Sequence, residues 1–216
     1  MKKSLVLVAA FLIMLVQSCT AKAQWGVEIG GGGTNQHGHY LAPCGCTFAF
    51  GSGYEAIVAV TRDFLSVRNF TIGLRVGGEF NQFLSGETDT SGSELILHGH
   101  QEEVKLLYLS LAPYLRYNIM GSPVFVQAAP GAAYVVSSHF LHIGALDSSI
   151  SPNAPLDIRS MRYDAKFSAG YNIALSGLTL APMITYDLPL NDLRTSHAEN
   201  WRLSSVYGSI VLRLNR

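Results

Sequence analysis

Period-two alternation, repeated in segments of ten or so residues, constrains this chain more than any other feature. From Met161 to Ile173, the residues Met161, Tyr163, Ala165, Phe167, Ala169, Tyr171 and Ile173 share one face, and Arg162, Asp164, Lys166, Ser168, Gly170 and Asn172 share the other. Successive side chains of a strand point to opposite faces, so the segment reads as a strand with one oily and one polar surface. The same partition recurs at Phe70 to Phe83, Lys105 to Asn118 and Leu178 to Leu188. Fainter versions run from Trp25 to Gly33, about Phe48 to Val60, Val124 to Ser137 and Arg202 to Leu214, which makes eight. The chain reads as all-β.

Alternation alone fits both a soluble sandwich and a membrane barrel, because either has one apolar face per strand. The connections choose between them. Long ones (Thr34 to Thr47, Ser85 to Glu103, Ser138 to Arg159, Pro189 to Trp201) alternate with short ones (Arg62 to Asn69, Ile119 to Pro123, Ser176-Gly177). Outer-membrane barrels have long extracellular loops and short periplasmic turns. The expectation is an antiparallel up-and-down transmembrane β-barrel of about eight strands, with both ends periplasmic and four long loops outside. Trp25, Tyr54, Tyr117, Tyr163, Tyr186 and Trp201 near strand ends suit interfacial girdles, although aromatic residues favour sheets in any case.

Composition narrows the partners. Apolar residues are 48% and charged residues 14%, with a formal net charge of zero. That leaves no basic footprint for nucleic acid and ample apolar surface for lipid. At the start of the chain, Lys2 and Lys3 precede an apolar run from Leu5 to Val16 and an A-x-A site at Ala21-Lys22-Ala23. These are the parts of a secretory signal peptide. The run is shorter than the roughly 18 residues of a spanning helix, and no later apolar run reaches that length uninterrupted. Residues 1–23 are therefore expected to be a signal peptide cleaved near Ala23, and residues 24–216 one barrel domain. A lipoprotein anchored at Cys19 is the rival reading, which Gln17 fits poorly.

The segments LLYLSLAPYLRYNI (Leu106 to Ile119), PVFVQAAPGAAYVVS (Pro123 to Ser137) and FSAGYNIALSGLTLAPMITYDL (Phe167 to Leu188), with the closing alternating strand, resemble the PorT-like outer-membrane β-barrel family. The resemblance spans about Trp25 to Leu214 and lies in strand and turn pattern, not in a catalytic signature. It implies an eight-stranded barrel in the outer membrane of a Gram-negative cell, in a family whose members mostly lack a defined activity. Many such barrels end in an aromatic residue, whereas this chain ends Leu214-Asn215-Arg216.

A lumen of eight strands is filled by side chains or holds one small ligand. Alternation assigns Glu28, Arg75, Glu79, Lys105, Arg116, Arg162, Asp164, Lys166, Asp187 and Arg213 to it. Acids and bases so enclosed are expected to pair into a polar network. A narrow path for ions or a small solute is the alternative. All seven histidines fall in the inferred long loops; His37, His39, His98 and His100 form two H-G-H triplets, the first followed by Cys44-Gly45-Cys46. Imidazole and thiolate suit zinc or copper, but the spacing lacks that of structural zinc sites, and the two cysteines could equally form a disulfide. No nucleophile elbow, H-E-x-x-H, phosphate loop or dinucleotide fingerprint is present. No enzyme and no cofactor are expected. The expected function is structural or surface-interacting, through the long loops toward an extracellular partner that the sequence does not name. The barrel assembly machinery and outer-membrane lipid are the implied partners. A periplasmic barrel holding a small apolar ligand is the runner-up.

Overall fold

The computed structural model describes residues 24–38, 40–41, 47–88, 101–143, 158–193 and 200–214. The expected signal peptide and its cleavage site lie outside the described residues. Ten strands follow one another: β1 (Trp25–His37), β2 (Tyr40–Leu41), β3 (Thr47–Val67), β4 (Phe70–Thr88), β5 (Gln101–Asn118), β6 (Val124–Ile143), β7 (Met161–Tyr171), β8 (Ile173–Leu175), β9 (Leu178–Pro189) and β10 (Arg202–Leu214). Two are short. β2 pairs with the start of β3, and β8 continues the line of β7 along β9 after a break at Asn172.

The other eight pair antiparallel with their chain neighbours, and β1 pairs with β3 on one side and β10 on the other. That double pairing closes the sheet into an up-and-down barrel without an edge in its wall. Among the described residues no helix is long and apolar enough to cross a membrane. The short connections are tight: Arg68-Asn69, with Arg68 at φ 53°, joins β3 to β4, and Ser176-Gly177, with Gly177 at φ 79°, joins β8 to β9. Positive φ is costly for arginine and free for glycine.

Alternation decides which way each side chain points. Val27, Ile29, Val58, Ile72, Leu109, Leu115, Phe167, Ile184, Ile210 and Leu212 face outward and are exposed. Leu107, at 39%, and Phe167, at 52%, stand in contrast to Arg75 and Lys166, each 3% exposed inside the barrel. The molecule thus wears its oil outside and its charge within. Trp25, Tyr163 and Tyr186 are exposed near strand ends, Tyr54 is exposed well inside β3, and the Arg62 guanidinium lies 4.8 Å over the Trp25 ring. Trp201 departs from the girdle expectation. It is fully buried, because it lies two residues before Leu203 and shares that residue's inward parity.

The run Gly30 to Gly33 belongs to β1 and opposes Ser209 to Val206 of β10. A Cβ on Gly32 would stand 2.1 Å from the Val206 carbonyl oxygen and 2.6 Å from the Tyr207 Cβ. Glycine there lets β10 bring Tyr207 into the lumen.

The barrel is not evenly tall. β3, β4, β5 and β6 have 21, 19, 18 and 20 residues, whereas β1, β7, β9 and β10 have 13, 11, 12 and 13. Ten or so residues suffice to cross a bilayer. The excess of β3 to β6 lies largely at the long-loop end, where Gln101 still pairs with Ile143 and Thr47 with Thr88.

Candidate functional site

The middle of the lumen is a layer of buried charge. Arg75 on β4 bridges β1 and its own strand, with Nε 2.8 Å from Glu28 Oε2 and Nη1 2.8 Å from Glu79 Oε1. Lys166 on β7 places Nζ 2.6 Å from Asp187 Oδ2, 3.2 Å from Asp164 Oδ2 and 3.3 Å from Glu79 Oε1. Arg162, two inward positions before Lys166 toward the long-loop end, also donates to Asp187 Oδ2, at 2.5 Å, and lies over the Tyr108 ring at 5.4 Å. Five strands, β1, β3, β4, β7 and β9, supply the charges of this layer once Glu55 of β3 is included. Oxygens of Glu55, Glu79 and Asp187 lie within 4.8 Å of one another. Unlike the other two, Glu55 makes no hydrogen bond among the described residues through either oxygen, although it is 2% exposed.

A second polar layer lies toward the short-turn end. Arg116 Nη2 donates to Asp63 Oδ2 at 2.6 Å, and the Tyr114 hydroxyl donates to Asp63 Oδ1. Arg213 donates to Asn172 Oδ1 at 3.1 Å, and Asn172 in turn to Asn118 at 3.3 Å. Phe125 sits between the two guanidiniums, 5.7 Å from Arg116 and 5.9 Å from Arg213. Opposite charges and an aromatic face hold the two arginines in one narrow space.

The long-loop end of the lumen is apolar instead. Phe48, Phe83, Val104, Leu106 and Phe140 on the inner face of the tall strands pack with Leu193, Trp201 and Leu203. The rings of Phe83 and Trp201 meet edge-on at 6.1 Å. Two backbone hydrogen bonds stitch the covering segments together: Arg159 donates to the Leu193 carbonyl and Leu193 to the Trp201 carbonyl, both at 2.7 Å. Charge in the middle of the lumen is thereby separated from the rim by a plug of large buried side chains.

Of the ten residues that alternation assigns to the lumen, nine lie there, each no more than 5% exposed. Lys105 does not. It shares parity with Leu107 and Leu109, points outward and forms a 3.1 Å ion pair with Glu103, its side chain 39% exposed. Of the six residues expected to offer metal ligands, His37 alone is described: its Nε2 lies 2.5 Å from the Ser204 hydroxyl. His39, Cys44, Cys46, His98 and His100 lie outside the described residues. Glu55, Asp63 and, nearer the rim, Glu102 are the buried inward acids that the alternation pattern misses. β3 carries Ile57 and Ala59 on its inner face beside Val58 and Val60 on the outer one, which blurs the period around Glu55. Asp63 falls in what reads as a turn, whereas the strand continues to Val67 through a register shift between Asp63 and Leu65.

No protein-family model and no curated protein sequence matches the chain. Among solved structures it is similar to Neisserial surface protein A, at 10% identity and TM-score 0.44 over 87% of this chain and 96% of that one. It is also similar to Ail, the attachment invasion locus protein of Yersinia pestis, at 10% identity and TM-score 0.42 over 89% and 99%. A third is the outer membrane protease OmpT from Escherichia coli, at 11% identity and TM-score 0.36 over 92% and 98%. Such values leave the architecture to rest on the strand register itself: an antiparallel, closed β-barrel of eight strands.

Proposed function

We propose that the protein is a non-enzymatic outer-membrane β-barrel that presents a rigid contact surface outside the cell, with the tall strands β3 to β6 and the long connections forming that surface. The carrying observation is the belt of outward apolar side chains around a closed barrel whose polar groups are enclosed. A continuous apolar surface of this extent is far larger than soluble monomers expose, and hydrocarbon is the surrounding that satisfies it. The resemblance to the PorT-like family and the signal-peptide pattern support the same address. Loops and strand ends on a stiff scaffold commonly carry recognition.

A periplasmic barrel with an apolar pocket would need the opposite arrangement of faces, and a conducting pore would need a path past Phe83 and Trp201. The deciding experiment is membrane fractionation followed by a heat-modifiability gel. The protein is expected in the outer-membrane fraction, extractable only with detergent, and faster-migrating before boiling than after. Release into the soluble periplasm without detergent would overturn the reading. Cysteine labelling on whole cells tests orientation: Ser91→Cys is expected to react with an impermeant maleimide and Ser176→Cys to be protected, in a chain with Cys44 and Cys46 changed to Ser.

A further inference from the structure

We propose that the middle layer of the lumen holds a hard cation, calcium being the best fit, between Glu55, Asp187, Asn81 and Ser205. Three independent observations point there. The first is charge: Glu28, Glu55, Glu79, Asp164 and Asp187 face Arg75, Arg162 and Lys166, so the layer has two more acids than bases. Buried carboxylates in excess of the bases are either protonated or matched by a cation.

The second is the state of the oxygens. Glu79 is fully engaged by Arg75 and Lys166, but neither oxygen of Glu55 nor Oδ1 of Asp187 has a hydrogen-bond partner among the described residues. Arg162 and Lys166 both approach Asp187 through Oδ2, which leaves Oδ1 without a partner among the described residues. The third is the neutral groups. Asn81 stands directly across from Glu55 in the β3–β4 register, and Ser205 directly across from Asp187 in the β9–β10 register. Both are at most 1% exposed, and neither the Asn81 carboxamide nor the Ser205 hydroxyl has a hydrogen-bond partner among the described residues. Cross-strand neighbours of this kind stand about 5 Å apart at Cβ, so Asn81 flanks the Glu55 end and Ser205 the Asp187 end of a cluster in which oxygens of Glu55, Glu79 and Asp187 lie within 4.8 Å of one another.

The donor set is entirely oxygen: two carboxylates, a carboxamide and a hydroxyl. Such a set selects hard cations over zinc or copper, and calcium tolerates an irregular shell that water completes, where magnesium demands an octahedron. The cation offsets the excess acid and gives partners to the unpaired oxygens of Glu55, Asp187, Asn81 and Ser205, whereas Glu28 Oε1 and Asp164 Oδ1 stay outside its shell. Because the apolar plug closes one end and the Arg116–Asp63 layer the other, it enters during folding and leaves slowly.

This inference does not depend on what the outer surface contacts. The test uses the full mature chain refolded in a zwitterionic detergent free of lipopolysaccharide, with calcium chloride as the probe, followed by gel filtration into calcium-free buffer. One calcium per chain by elemental analysis is expected, and Glu55→Gln is expected to lose it while keeping heat-modifiable migration. On the parent protein, calcium at a hundred times its dissociation constant is expected to raise the folded-to-unfolded ratio about a hundredfold in urea titrations. That second measurement carries the test if Glu55→Gln fails to refold. No retained calcium with an unchanged urea midpoint would overturn the proposal, leaving Glu55 as a protonated, neutral group. Calcium that persists undiminished in a folded Glu55→Gln variant would overturn it too, by placing the ion elsewhere.

Discussion

Lys166 is the residue on which the enclosed charge depends most, since one ammonium serves Glu79, Asp164 and Asp187. Removing a single partner from a buried ion network leaves the others uncompensated, which typically costs about 3 to 5 kcal/mol. Lys166→Met is therefore expected to lower unfolding stability by about that amount, measured by urea titration in detergent micelles. Lys105→Ala serves as the contrast. Its ion pair with Glu103 is partly exposed, and such pairs contribute about 0 to 1 kcal/mol. Equal losses for the two variants would show that the lumen is far wetter than its burial implies. At this scale the sequence is readable wherever parity is unbroken. Parity places Arg162, Asp164 and Lys166 correctly because their outward neighbours are Met161, Tyr163, Ala165 and Phe167, with no residue of ambiguous character between. It hides Glu55, whose strand is apolar on both faces. It also shows Lys105 to be external, once that residue is counted in step with Leu107 instead of by its charge.

Strand ends were less legible than strand centres, for a physical reason. Above the apolar belt the alternation inverts: Phe48, Phe83, Val104 and Phe140 point inward, while Ser52, Gln101 and His139 face outward and are exposed. A strand leaving hydrocarbon for water no longer needs an oily exterior, so the pattern that identifies it within the membrane stops there although the hydrogen-bonded ladder continues. The extra residues of β3 to β6 therefore read as loop. Short strands pose another question of fit, which β1 answers with glycine. Gly32→Ala is expected to cost about 1 to 3 kcal/mol, because its Cβ would meet the backbone of β10 and something must shift. Gly33→Ala, whose Cβ would lie 3.9 Å from the nearest neighbour, is expected to be nearly neutral. Refolding yield and urea midpoint compare the two, and equal effects would mean that β10 does not lie so close.

The barrel as a whole follows from counting strands and comparing connection lengths, both of which are local properties of the chain. The plug does not, because it is a meeting of residues as distant as Phe48, Phe140 and Trp201, none of which has a signal of its own. Its functional consequence belongs to the entire molecule. Purified protein in planar lipid bilayers is expected to show no discrete conductance steps, since the plug of large buried side chains closes the long-loop end of the lumen. Reproducible steps of fixed size would reveal a path that these contacts leave open, and would return transport to consideration.

The unequal strand lengths carry one more implication. At about 3.3 Å per residue and a tilt near 40°, eight or so additional residues lift one side of the rim by roughly 20 Å. A cylinder of uniform height would look the same from every compass direction within the plane of the bilayer, but this one has a front and a back. Among the described residues the paired wall is thus a parapet on the β3–β6 side and a low sill on the other, so the contacts that the wall itself offers to neighbours depend on rotation about the barrel axis.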